Sequence, residues 1–210
     1  LEGEFINLQY GQVYYEFNRD KFVVDGSMKL DPTLPVAICV DFNVDPMIWM
    51  VCQSSGREEI NVLYEIYLSN TNTWDMCIKL KSLIPSSFSV VIYGDASGRS
   101  RDTRGNYSDY SIIDEEFRSY FSDIKYMVPK SNPPVRNRVN CVNNMLSKNS
   151  IKISKECKEL VSDLEEIAYN DKGDIDKSNL KRTHASDAFG YFIATEFPIK
   201  PIVVSESISF

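Results

Sequence analysis

Histidine is nearly absent from this chain: His184 is the only one among 210 residues. No apolar run reaches the roughly 18 residues that a membrane-spanning helix needs, and no signal-peptide pattern stands at the head. The five cysteines (Cys39, Cys52, Cys77, Cys141 and Cys157) are odd in number and form no CxxC pair. They read as small apolar residues inside strand- or helix-like runs, which fits a reduced, cytosolic setting. Low-complexity blocks, internal repeats and a GxxxxGK[ST] phosphate loop are all lacking, so no P-loop for ATP is encoded. A basic excess is missing too. The net charge of −7 argues at first sight against a nucleic-acid partner. Net charge reports only the average field, however, and part of this acidity fits a carboxylate cluster that metal ions neutralise.

What remains is an ordinary globular composition, 43% hydrophobic and 25% charged, with a length that favours one domain. The chain opens on Leu1 rather than Met, so a piece of a longer polypeptide is expected.

Residues 1–35 read as a lead-in, with "GQVYYEF" and "KFVVDG" flanking "NRD" as a loose hairpin and "LDPTLP" breaking the chain. "VAICVDF" (36–42) is a nearly continuous apolar run with β-branched residues, the mark of a strand buried on both faces. "PMIWMVCQSS" (46–55) and "EINVLYEIYL" (59–68) follow at hairpin spacing and predict an antiparallel meander. "TWDMCIKLKSLI" (73–84) places Trp74, Ile78 and Leu80–Ile84 near helical spacing behind an Asn72 or Thr73 cap. "FSVVIYGDASG" (88–98) is a second buried strand. A helix over 111–121, a strand over 124–129, a helix over 134–148, a short edge strand over 151–154 and an amphipathic helix over 155–169 come next. After a polar loop, a last helix runs from His184 to Phe197, where Pro198 stops it. The order predicts an α/β fold: a mixed sheet of five or more strands, a meander followed by parallel strands, with helices on both faces.

Three aspartates stand at element ends. Asp41 closes the first buried strand and Asp95 the fourth, and a helical crossover between them makes those strands parallel neighbours. Asp187 lies on the second turn of the last helix, past the capping position, with His184 on the same face. Asp41 is enclosed by "VAICV" and "FNV", where an unpaired acid is costly. Like charges brought together repel unless a cation sits among them, and hard oxygen donors favour Mg²⁺ or Mn²⁺. The competing reading is that each acid is a turn-former or helix cap, as Asp45 and Asp102 are taken to be.

"ICVDFNVDPM", "VIYGDASG" and "HASDAFGY" resemble the three acidic motifs of the nuclease domain in the large terminase subunit of tailed bacteriophages, a ribonuclease H-like domain. "GEFINLQYGQVYYEF" (3–17) resembles that family's connection from its ATPase motor. "RVNCVNNMLSKNSIKISKECKELVSDLEE" (138–166) resembles its helix, short strand and helix between the second and third motifs, so the likeness covers nearly the whole chain. The resemblance implies that Asp41, Asp95 and Asp187 bind two divalent ions, Mg²⁺ or Mn²⁺, for phosphodiester hydrolysis of double-stranded DNA. Some relatives carry a second acid beside the third motif and others a histidine three residues before it. Here Ala188 follows Asp187, leaving His184 either a fourth ligand or an N-terminal helix residue bonded to backbone. With His184 so placed, no Ser–His–acid or Cys–His centre competes.

The implied boundaries are 1–35 for a linker from an upstream ATPase domain, 36–198 for the nuclease and 199–210 for a tail. Arg99, Arg101 and Arg104 sit in a glycine-flanked loop directly after Asp95, and Lys181 and Arg182 precede the third motif. These charges are expected either to touch DNA phosphates or to form a solvated surface; Arg136 and Arg138, at a helix start, carry the same pair of readings. No element reads as a groove-entering recognition helix, so cutting without sequence preference is expected. The implied function is cleavage of concatemeric viral DNA during genome packaging in the host cytoplasm, alongside a portal protein and a small terminase subunit. A junction-resolvase or transposase-type nuclease and a non-catalytic portal or capsid docking module are the alternatives.

Overall fold

A computed structural model describes residues 11–26, 28–56, 59–100, 107–179 and 181–199. In chain order the elements are α1 (Arg19–Phe22), β1 (Val23–Val24), β2 (Val36–Asp41), β3 (Met47–Ser55), β4 (Glu59–Leu68), α2 (Thr73–Leu83), β5 (Val90–Gly94), a 3-10 turn (Ala96–Arg99), α3 (Asp109–Arg118), β6 (Ile124–Tyr126), α4 (Val135–Ser147), β7 (Ile151–Ser154), α5 (Lys158–Glu166) and α6 (His184–Glu196). One mixed sheet in the order β1-β7-β4-β3-β2-β5-β6 carries them. β2, β3 and β4 form the antiparallel meander, while β5 pairs parallel to β2 and β6 parallel to β5.

Side chains alternate across a strand, so each face of the sheet receives its own core. Val36, Ile38 and Val40 of β2 join Ile92, Trp49 and the buried faces of α2 and α3. Ala37 and Cys39 point the other way, toward α4, α5 and α6. β2 is buried along its whole length because both faces are covered. Asp41 continues the Ala37–Cys39 series and therefore faces α6.

Three local expectations are corrected. The described part of the lead-in is no hairpin: Asn18 caps the single turn α1 by accepting from Lys21 N, and β1 pairs in parallel with β7. Val13, Tyr14, Phe17 and Phe22 belong to the core beside α5 and α6, which holds this stretch against the domain. β7 is not an edge strand, because β1 covers one side of it and β4 the other. In α2 the inward residues are Met76, Cys77 and Leu80, whereas Trp74 and Ile78 are exposed. Asn72 is its cap, accepting from Asp75 N at 3.0 Å.

Candidate metal centre

The register of β2 and β5 pairs Val40 with Gly94, so Asp41 and Asp95 leave adjacent parallel strands side by side and toward the same face. A side chain at position 94 is barred, since its Cβ would run into the Val40 side chain and stand 2.9 Å from the Tyr110 hydroxyl. Gly94 thus permits the close strand approach that brings the two acids level. The carboxyl ends of parallel strands are the usual location of sites in such sheets.

α6 lies across β2, β3 and β5 and supplies the third acid. Its start is fixed from outside the helix. Thr183, in the left-handed region at φ 79°, provides no side-chain cap. Asp163 of α5 does so instead, accepting Thr183 N at 3.2 Å and Ser186 N at 2.9 Å. α5 is held in the same way by Glu65 of β4, which accepts Glu159 N at 3.0 Å and Leu160 N at 2.8 Å. Burial raises both carboxyls, Glu65 to about 7 and Asp163 to about 6, although those hydrogen bonds oppose the shift. The sheet therefore places α6 through two successive carboxylate caps.

Each of the three acids has taken a protein partner. Asp41, 9% exposed, meets His184: Nδ1 is 3.0 Å from Oδ2, and Nε2 is 2.9 Å from Asn43 Nδ2. A neutral ring satisfies both contacts when Nδ1–H donates to Asp41 and Nε2 accepts from Asn43. Asp95 Oδ1 accepts from Asn132 Nδ2 at 2.7 Å and from Ser97 N at 2.6 Å. Asp187 Oδ1 is ion-paired with Arg138 Nη2 at 2.6 Å.

Burial pushes the Asp41 carboxyl up; the His184 hydrogen bond offsets part of this, and the charges of Asp187 and Asp95 raise it further. At Asp95 burial also acts upward, but hydrogen bonds from Asn132, Ser97 and Tyr191 together hold the carboxyl below its ordinary value. Tyr191 is pushed up, first by burial and then by the charges of Asp95, Asp187 and Asp41 against the opposing Arg138. All three acids thus share one electrostatic neighbourhood.

Among the described residues no three His, Cys, Asp or Glu side chains stand close enough to hold an ion as they are posed. The donor chemistry still fits a hard divalent cation: three carboxylates on one face, one of them destabilised by burial and further by its neighbours' charge. Ligation requires the three carboxylates to converge on a common point, with Asp187 turning from Arg138 while His184 and Asn132 keep their hydrogen bonds to Asp41 and Asp95.

The basic residues divide. Arg99 donates to the carbonyls of Val128 and Pro129, the latter bond from Nη1 and the former at 2.5 Å from Nη2, and so clamps the segment before α4. Arg182 bridges Glu166 at 3.0 Å and Glu159 at 2.9 Å, with Asp163 at 3.7 Å, a part-exposed ion-pair cluster. Lys181 is exposed. Arg101 and Arg104 lie outside the described residues, as do 1–10 and 200–210. The acids' partners Asn132, Arg138 and Tyr191, and Asn43 beside His184, did not emerge from the sequence in these roles. Arg138 is neither the solvated charge nor the phosphate contact that the sequence suggested: it is buried on α4, and its i, i+4, i+7 spacing with Val142 and Met145 is the signal that could have shown it.

No protein-family model matches the sequence, and no curated protein matches it significantly. Solved structures do. The nuclease domain of the phage P22 large terminase superposes with a TM-score of 0.65 at 11% identity, covering 88% of this chain and 93% of that one. The large terminase nuclease of thermophilic phage G20c with bound magnesium gives 0.56 at 13% identity, covering 89% and 96%. The large terminase of another thermophilic bacteriophage gives 0.64 at 16% identity over 88% of this chain. The chain spans 45% of that longer polypeptide. The architecture is therefore a ribonuclease H-like α/β fold. More narrowly, it is the fold of large-terminase nuclease domains.

Proposed function

We propose that this chain is the nuclease domain of a large terminase subunit, a divalent-metal-dependent DNA endonuclease that cuts concatemeric viral DNA during packaging in the host cytoplasm. The observation that carries the reading is the placement of Asp41 and Asp95 at the ends of adjacent parallel strands, facing a helix that delivers Asp187. The G20c nuclease has been solved with magnesium and with cobalt, which supports a divalent ion here.

Asp41, Asp95 and Asp187 would hold two ions, Mg²⁺ or Mn²⁺. When bound, such ions supply a nucleophile at neutral pH and charge stabilisation for an in-line displacement at phosphorus. His184 holds the Asp41 carboxylate in orientation, and Asn132 and Tyr191 do the same for Asp95. Fixing ligands through outer hydrogen bonds is how proteins tune such centres.

Phosphate contacts fall to Arg101, Arg104, Lys181 and the exposed Arg99, while Arg182 is held by Glu159 and Glu166. Backbone contacts of this kind carry no sequence information, consistent with nonspecific cutting. The upstream ATPase domain, the portal protein and the small terminase subunit are the partners that this reading implies.

Plasmid cleavage in Mn²⁺ tests the proposal. Asp95→Ala should abolish cutting while thermal unfolding stays cooperative. Undiminished cutting by this variant removes Asp95 from the mechanism. Equal or faster cutting of branched over linear duplex DNA redirects the reading toward a junction resolvase.

A further inference from the structure

Arg138 is an unusual resident of this site. It is 6% exposed, on the buried face of α4, and its Nε has no hydrogen-bond partner. Nη1 donates to the Pro133 carbonyl at 3.1 Å, and Nη2 holds Asp187 Oδ1 at 2.6 Å. The guanidinium lies over the Tyr191 ring, 4.5 Å from its centroid. Gly190 lets the stem come close, since a Cβ there would sit 3.3 Å from Arg138 Cβ. A buried cation is costly unless paired, and here its charge-bearing partner is one of the three acids.

We propose that Arg138 is a built-in counter-cation of the acidic site, which neutralises Asp187 in the metal-free protein and must yield that carboxylate when divalent ions bind. The inference rests on the divalent-ion reading above and deepens it. Three carboxylates facing one another without ions would repel. Arg138 lowers the pocket's negative charge by one and satisfies Asp187, so the fold tolerates the site empty. The same charge opposes an incoming divalent ion, both by repulsion and by occupying Oδ1. Arg138 is therefore a positioning residue that sets ion affinity. Its cation–π contact with Tyr191 keeps the released guanidinium beside the site.

Titration calorimetry with Mn²⁺ on the DNA-free protein tests this. Arg138→Met keeps the bulk and removes the charge, and should bind Mn²⁺ at least about tenfold more tightly than wild type. Arg138→Lys retains the charge and should stay near the wild-type affinity. Unchanged or weaker binding by Arg138→Met, with wild type binding normally, overturns the counter-cation role and leaves the metal site standing. No binding by any of the three proteins overturns both.

A second measurement needs no folded variant. The unpartnered, buried Nε–H should give a protected NMR signal in wild type that shifts as Mg²⁺ is added. A signal that stays fixed while Mg²⁺ binds contradicts the exchange of partners.

Discussion

Asp41 Oδ2 and His184 Nδ1 stand 3.0 Å apart although 143 positions separate them in the chain. The contact joins the first acidic strand end to the helix that bears the third acid. It also lowers a carboxyl that burial raises. His184→Ala should therefore move the acid limb of the cleavage profile to higher pH, because Asp41 would hold its proton more tightly. Losses of about 10- to 100-fold in activity or ion affinity are typical for such a partner. A pH–rate profile compared with wild type checks this, and an unmoved acid limb counts against the role.

Gly94→Ala should be disruptive out of proportion to one methyl group. The new Cβ would meet Val40 O at 2.6 Å and the Tyr110 hydroxyl at 2.9 Å, both rigidly held. Overpacking of this kind costs about 2–3 kcal/mol. Because the strain falls between the two strand ends, activity in the folded fraction should drop as well. Chemical unfolding and specific activity, measured together, separate the two effects.

Glu65 and Asp163 make stability depend on pH with a definite sign. Their folded carboxyls sit at about 7 and about 6, above the ordinary value near 4. The folded state therefore binds more protons than the unfolded state across that interval. Their contribution is complete below about pH 4 and is lost as pH rises toward 7. For Glu65 the difference corresponds to roughly 3 kcal/mol. In metal-free buffer Glu65→Gln should flatten the fall of unfolding free energy between pH 4 and 7; an identical slope in both proteins contradicts the assignment.

The proposed phosphate contacts of Arg101 and Arg104 predict a salt effect. Replacing Arg101 and Arg104 together should weaken DNA binding and reduce the slope of log affinity against log salt by about 1.8, at 0.9 per phosphate contact. An unchanged slope removes both residues from the DNA path.

Some of this arrangement was readable before the fold, and the reason is locality. Asp41 and Asp95 announced themselves because each ends a short apolar run whose burial and pairing follow from composition. Asp187 did so through its place on a helix that Pro198 terminates. The lead-in misled because β1 exists only by pairing with β7, some 130 positions away. The side-chain partners within the site were hidden for the same reason: Asn43 reaches His184 across 141 positions and Arg138 reaches Asp187 across 49. Residue spacing encodes which face a side chain takes, while such pairings depend on how whole elements cross. Arg138 shows the boundary: its sequence reading as a phosphate contact or solvated residue missed both its burial on α4 and its pairing with Asp187, which depend on how α4 and α6 cross.

The most direct test of the shared acidic centre is diffraction from a crystal soaked in Mn²⁺ and measured at the manganese absorption edge. The account predicts anomalous density bounded by Asp41, Asp95 and Asp187, with the Asp187–Arg138 bond broken. Asp187 still bound to Arg138, with manganese elsewhere or nowhere, would contradict it.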